Sequence, residues 1–472
     1  MISAVVATRP KPGEPRPYAF PDFERSRLGN GLTLITVHLD GRPLVSATLV
    51  LENGAADEVP EDGGATVLAA RALPEGTERY DAIALVEASE RLGASLHAEA
   101  GWDAMTAGVE VPATRLEPAL ELLAEMVDRP TFPEGEVERL RDERLNDILQ
   151  ARADPRRRAD EAFVDAIYTP DSPYHRPSAG LPETVEGLGP QHARRNWARG
   201  IDPSRLTLVV GGDMRGIDVG AIADRLFGGW DRNPGARPRG DIITRSAVSE
   251  RLVRLVHRPG AVQTEIRIGH VGLPRRIPDF HAVSVMSTIL GGLFNSRLNR
   301  NLREDKGYTY GAGAGYDLRR AAGPFAARAA VNTEVTVPAV TEMLNELERM
   351  RDAPVSAEEM AAGRDYLVGV FPLRFETPGP VVGAIAGIVV HDLPDDELAR
   401  YRPGIEAVTA DDVHRVARDH LRLEEAAIVL VGDADVIGAD VEKAGFGAFE
   451  IVRDADAIAP DGPPTNGSGS PG

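Results

Sequence analysis

Arg303, Tyr308 and Tyr310 share one short stretch, Leu302-Arg303-Glu304-Asp305-Lys306-Gly307-Tyr308-Thr309-Tyr310, which follows Gly291-Gly292-Leu293-Phe294-Asn295-Ser296-Arg297-Leu298. Guanidinium and phenol groups are hydrogen-bond donors. Donors aimed at one point can stabilise an oxygen that gains negative charge during a reaction. The residues do not choose between the tyrosines, because alternate residues of a strand share a face. They also permit a structural reading: 302–306 as a solvated helix end, Gly307 as its C-cap, and Arg303 and Lys306 complementing the helix dipole.

No other reactive constellation accompanies them. The chain has no cysteine, which excludes disulfides and thiolate metal sites. Its ten histidines are scattered, and the closest pair, His414 and His420, lies off a common helix face. P-loop and G-x-S-x-G signatures are absent. Gly311-Ala312-Gly313-Ala314-Gly315 has the wrong spacing for a dinucleotide loop and marks instead a strand approached by another backbone or a peptide.

The elements that must position these residues occur twice. Val185-Glu186-Gly187-Leu188 matches Ile405-Glu406-Ala407-Val408, and the same offset of 220 positions (185 to 405) pairs Arg195 with Arg415 and Gly212-Asp213 with Gly432-Asp433. In each copy a polar helical stretch leads to an apolar strand, 206–210 or 426–431. A Pro-, Gly- and Arg-rich linker, 230–250, separates the copies. The chain thus divides into an N-terminal extension (1–20), a first domain (21–229), the linker, a second domain (251–456) and a disordered tail (457–472).

In the first domain, 32–38, 44–52, 94–98 and 104–111 read as strands, and 64–73 and 81–92 as helices. Leu116, Leu120, Leu123 and Val127 share one helix face, and a long polar helix, 134–153, ends before Pro155. The second domain repeats the order. Helix 280–290 leads into the 291–303 stretch, strands lie near 308–316 and 325–331, and helices follow at 340–350 and after the capping box Ser356-x-x-Glu359. The pattern predicts an α+β fold of two homologous halves, each a mostly antiparallel sheet with helices packed on one face.

At 472 residues the chain exceeds one ordinary core, and its 42% hydrophobic and 27% charged residues suit a folded soluble protein. A net charge of −20 repels nucleic acid and anionic lipid. The densest basic run, Arg156-Arg157-Arg158, has no interleaved aromatics and reads as a solvated helix face. The longest apolar run, 381–390, falls short of the ~20 residues that span a bilayer, and the apolar start of the chain is too short for a signal-peptide core. The expectation is a cytoplasmic protein with neither nucleic acid nor membrane as partner.

Gly64-Ala65-Thr66-Val67-Leu68-Ala69-Ala70-Arg71, with Gly76-Thr77 beyond it, and the Arg303/Tyr310 stretch together resemble the insulinase/pitrilysin family and its mitochondrial-processing-peptidase-like members. So do Asp154-Pro155, Tyr174-His175-Arg176-Pro177 with Gly180, 391–396 and 408–413, and the likeness spans about 25–440. The family carries zinc on an inverted H-x-x-E-H helix, a motif absent from this chain. The resemblance aligns the two histidines with Val67 and Arg71, the glutamate with Ala70, and a third ligand on a neighbouring helix with Asp147. Valine has no lone pair, arginine is a fixed cation, and alanine cannot act as a base. Asp147, deprived of partner ligands, reads as an exposed helix aspartate.

Arg303 and Tyr310 have the spacing of the family's Arg/Tyr pair, which selects Tyr310 over Tyr308 and implies a clamp on a substrate peptide carbonyl. The resemblance therefore implies a non-catalytic, substrate-clamping subunit of a heterodimeric zinc endopeptidase. Such a subunit is inactive alone and holds no metal. Zinc is expected in a homologous catalytic partner with H-x-x-E-H, which closes against this chain around a peptide. The alternatives are a non-enzymatic scaffold or peptide-binding protein of the same fold, and an autonomous peptidase with an unrecognised metal site.

Overall fold

The structure, a computed structural model, describes residues 17–453. The expected tail and most of the expected N-terminal extension lie outside those residues.

Two six-stranded sheets form the frame. The first contains β1 (Glu24–Arg27), β2 (Thr33–His38), β3 (Leu44–Leu51), β4 (Ser95–Ala100), β5 (Met105–Pro112) and β6 (Leu206–Gly212), in the order β1-β2-β6-β3-β5-β4. The second contains β7 (Leu252–His257), β8 (Gln263–Val271), β9 (Ala312–Tyr316), β10 (Pro324–Asn332), β11 (Ala427–Gly432) and β12 (Ala448–Val452), in the order β12-β7-β11-β8-β10-β9. The β2/β6, β7/β11 and β7/β12 pairs are parallel and the others antiparallel. Both sheets are thus mostly antiparallel, as the strand runs predict.

The helices of the first half are α1 (Ala65–Ala72), α2 (Ala82–Leu92), α3 (Leu116–Asp128), α4 (Glu134–Ala153), α5 (Pro155–Ile167), α6 (Pro182–Val185), α7 (Pro190–Gly200) and α8 (Val219–Phe227). Those of the second are α9 (Phe280–Ser287), α10 (Arg297–Asn299), α11 (Thr336–Asp352), α12 (Ala357–Val370), α13 (Pro378–Val390), α14 (Glu397–Ala407), α15 (Ala410–His420) and α16 (Ala434–Ala444). The stripe Leu116, Leu120, Leu123 and Val127 on α3 is buried in the first core. Pro155 ends α4 and opens α5, where Asp154 caps the amides of Arg156 and Arg157.

Helices line one face of each sheet, as expected, and the other face is covered by a helix from the opposite half. First-half α5 packs Ala159, Phe163 and Ala166 with Val429 and Val431 of β11. Second-half α13 packs Val381, Val382, Ile385 and Val389 with Ile35, Val50 and Val209 of the first sheet. This exchange explains why α13 is apolar nearly all round: it is buried between protein layers. Among the described residues, no single helix is long and apolar enough to cross a membrane.

The repeat is visible in space. α7 leads to β6 and α15 to β11, and every residue of β6 and β11 is buried. Arg195 of α7 pairs with Asp62, just before α1, and Arg415 of α15 pairs with Asp279, just before α9, at 2.8 Å. α1 and α9 are therefore counterparts.

Candidate functional site

α1 begins at Gly64, whose φ of +98° is left-handed and where a Cβ would stand 2.8 Å from the Ala179 carbonyl oxygen. The buried Glu58 carboxylate accepts from the amides of Gly64 (3.0 Å) and Thr66 (2.6 Å), and Arg176 Nη2 lies 2.6 Å from it. Burial pushes the Glu58 carboxyl above its ordinary value, against the pull of Arg176 and the two amides. Arg144 of α4 donates to Ala179 O (2.9 Å), and Thr184 Oγ1 donates to Gly63 O (2.7 Å). The Tyr174–Gly180 signature is thus the socket of the α1 N-terminus, and this structural duty does not depend on a metal.

Further along α1 no metal-binding chemistry remains. Ala70 is fully buried, and Val67 and Arg71 are half-buried. The Arg71 guanidinium donates to Glu143 Oε2 of α4 (3.0 Å), and Glu143 is also held by Arg139 at 2.6 Å. Asp147, one turn further along α4, is exposed. A dication would face an aliphatic side chain and a fixed positive charge, so these residues do not fit zinc.

Among the described residues, one group has metal-ligand types within reach of one another: His257, Asp433 and Asp435. It is a helix cap. The amide of Ala434 donates to His257 Nδ1 (3.1 Å), the amide of Asp435 to Asp433 Oδ1 (3.0 Å), and Arg453 holds Asp435 at 2.8 Å. With Nδ1 accepting from the backbone, Nε2 carries the imidazole proton and has no lone pair for a metal.

The second-half segment is built differently. α9 runs into a π-helical turn, Thr288–Gly292, and a second π turn, Arg300–Asp305, follows α10. A Cβ at Gly291 would lie 2.0 Å from the amide nitrogen of Ala314, so only glycine lets the first turn press against β9. The glycine-rich strand is indeed approached by another backbone. Asn299 stitches the segment to β9, accepting from Ala312 N (2.8 Å) and donating to Leu293 O (3.1 Å). Arg297 is buried and grips Glu359 with two hydrogen bonds, Nε at 2.7 Å and Nη2 at 3.1 Å. Burial alone would raise the Glu359 carboxyl; Arg297 and the Ser356 amide reverse that and bring it down to about 2.

Arg303 lies on the second π turn, with its guanidinium 4.2 Å from the centre of the Phe294 ring and Nε 3.5 Å from Glu304. Gly307, at φ +65°, donates to Arg303 O (3.2 Å), which is the helix-end geometry of the structural reading. That geometry coexists with a half-buried Arg303. β9 begins at Ala312, so Tyr308 and Tyr310 precede the strand instead of lying on it as expected. Tyr308 packs against the second core, whereas Tyr310 is 95% exposed. Burial therefore leaves Tyr310 as the free phenol. Among the described residues no hydrogen bond joins it to Arg303.

Sequence reasoning did not find Phe294 beneath Arg303, the Arg297–Glu359 pair or the Glu58–Arg176 pair. Each residue lies in or beside a quoted motif, but its partner is fixed only by the fold.

The pattern of the insulinase family, Peptidase family M16, matches residues 33–175, and that of the Peptidase M16 inactive domain matches 190–367. The chain belongs to the insulinase family. This insulinase-family chain is 25% identical over 407 residues to an uncharacterized zinc protease of Streptomyces coelicolor, covering 84% of this chain and 87% of that one. It is 18% identical over 374 residues to a non-peptidase homolog of Helicobacter pylori, covering 78% and 84%. Its fold is similar to the peptidase M16 inactive domain of Pseudomonas fluorescens (TM-score 0.80, 23% identity, 87% and 98% covered). A protease from Helicobacter pylori is similar in the same way (TM-score 0.81, 18% identity, 88% and 100% covered). Residues 190–367, the Arg303/Tyr310 segment among them, are the part that matches the family's inactive domain.

Proposed function

We propose that the chain is the non-catalytic, substrate-clamping subunit of a two-chain zinc endopeptidase, and that its partner is a homologous chain carrying H-x-x-E-H. The observation that carries this reading is a contrast within one molecule. α1 keeps its socket and offers a metal nothing, while a half-buried Arg303 and an exposed Tyr310 stand on a segment anchored by the Arg297–Glu359 pair. Donors on a rigid base suit a role against a substrate that another chain activates. The guanidinium and phenol would donate to the peptide carbonyl whose oxygen gains charge as water attacks, and removal of such a donor costs roughly 100- to 1000-fold.

The test is reconstitution with the H-x-x-E-H homologue from the same source and a quenched fluorescent peptide as substrate. The isolated chain is expected to be inactive, the pair active and chelator-sensitive, and the Arg303→Ala pair slower by about 100-fold or more in kcat/KM. Hydrolysis by the isolated chain that a chelator stops would refute the proposal. An unchanged Arg303→Ala pair would favour the scaffold reading, which agrees with the absence of an Arg303–Tyr310 hydrogen bond among the described residues.

A further inference from the structure

Phe294 is 70% exposed, so its ring contributes little to the core. Among the described residues its ring contact is with the Arg303 guanidinium, 4.2 Å from the ring centre. The segment beneath is fixed: Asn299 ties it to β9, and Arg297 is locked to Glu359. Phe294 and Arg303 rise from the two ends of that fixed base. An arginine stacked on an aromatic uses the face of its guanidinium and keeps the in-plane N–H groups free to donate. A long side chain with four rotatable bonds otherwise loses much of its freedom only when substrate arrives.

We infer that Phe294 is a positioning residue, an exposed aromatic platform that holds the Arg303 guanidinium in place before a peptide carbonyl reaches it. This rests on the clamp role of Arg303 for its consequence in catalysis, but the stacking itself belongs to the free chain. Glu304 is the competing partner: it lies 3.5 Å from Nε and would draw the guanidinium's donors to itself if the ring were removed. The ring therefore keeps Arg303 both extended and available.

The experiment has two arms. In the full-length isolated chain, the Arg303 Nε–Hε NMR signal, assigned by its loss in Arg303→Lys, should be shifted upfield by the ring current. Phe294→Ala should abolish that shift and Phe294→Trp should keep it. In the reconstituted pair, Phe294→Ala should lower kcat/KM about two- to fivefold, the size of an exposed cation–π contact. Phe294→Trp should restore the rate, and Phe294→Ala should add nothing in the Arg303→Ala background. A signal that ignores Phe294→Ala overturns the platform. So does an equal loss of rate with and without Arg303. If the ring-current shift behaves as expected while Arg303→Ala leaves the rate unchanged, the clamp reading fails and the stacking stands.

Discussion

α1 and α9 hold matched places in the two halves, each headed by an aspartate paired with the arginine of the repeat. Their surroundings have diverged. Around α1, charged groups are paired with one another: buried Glu58 caps the helix, Arg176 neutralises Glu58, and at the surface Arg71 is tied to Glu143. Beyond α9 the chain breaks helical regularity with two π turns and sets Phe294 and Tyr310 toward solvent, with Arg303 half-buried over the Phe294 ring. Backbone irregularity of this kind is concentrated at functional sites. The comparison teaches that the frame of this site is separable from its chemistry. The first half keeps the frame alone, and the second keeps a frame with donors on it.

The largest effect should come from restoring what the first half lacks. If the socket of α1 is intact, the quadruple variant Val67→His, Ala70→Glu, Arg71→His, Asp147→Glu should retain zinc close to one ion per chain through gel filtration. The natural chain should retain none. Elemental analysis of both proteins checks this. A variant that folds and still binds no zinc would show that α1 and α4 have moved apart, and that the frame was lost along with the ligands.

Next in size are the two buried ion pairs, one in each half. Breaking such a pair from one side leaves an uncompensated buried charge, at a cost of about 3–5 kcal/mol. Arg176→Met should lower stability by that order, softened because Glu58 can take up a proton. Glu359→Gln should fall at the lower end, because Glu359 is partly exposed. Chemical denaturation of the two variants ranks them. Only Glu359→Gln should also disturb the Arg303 environment. If Arg176→Met did so too, the surroundings of α1 and of Arg303 would be coupled across the two halves.

Much of this architecture was legible from periodicity and from helix-end signals. The α3 stripe repeats at helical spacing and β2 to β6 read as strand runs, while the polar α4 was marked by the proline that ends it and α12 by its capping box. The exchange of α5 and α13 was not legible. An apolar helix announces that it will be buried, not which sheet will bury it. The site divides in the same way. Val67, Ala70 and Arg71 could be judged residue by residue, because a missing lone pair needs no coordinates. The exposed state of Tyr310 against the packed Tyr308 needed the fold, since the strand that would have made them equivalent starts four residues later than expected, at Ala312.

Gly291→Ala should have a smaller effect, about 1–3 kcal/mol of overpacking, because its Cβ would meet the backbone of β9. The matched substitution in the first half is Gly64→Ala, where left-handed backbone strain adds to a contact with Ala179. Thermal melts of both report the cost. Proteolysis within 293–311 should rise for Gly291→Ala alone. Equal susceptibility in both variants would mean that the π turn is not what anchors the clamp.

The smallest effect, and the sharpest contrast, is in acid. Glu359 titrates at about 2 in the folded protein, below the ordinary 4.5, and Asp279, held by Arg415 and, against its burial, by His420, is also at about 2. The unfolded chain takes up these protons first. The stability they contribute is therefore complete above about pH 4.5 and drains away as pH falls toward about 2. Glu58 has the opposite sign: burial raises it, the folded chain binds its proton more readily than the unfolded one, and falling pH relieves a cost. Acid should thus loosen the base of the proposed clamp before the socket of α1. Hydrogen exchange at pH 5.5 and pH 3.5, corrected for intrinsic rates, should show protection falling across α10 and α12 while α1 holds, and Glu359→Gln should remove most of that difference. If α1 opened first, the pairing of Glu58 with Arg176 would be weaker than its burial and 2.6 Å contact imply.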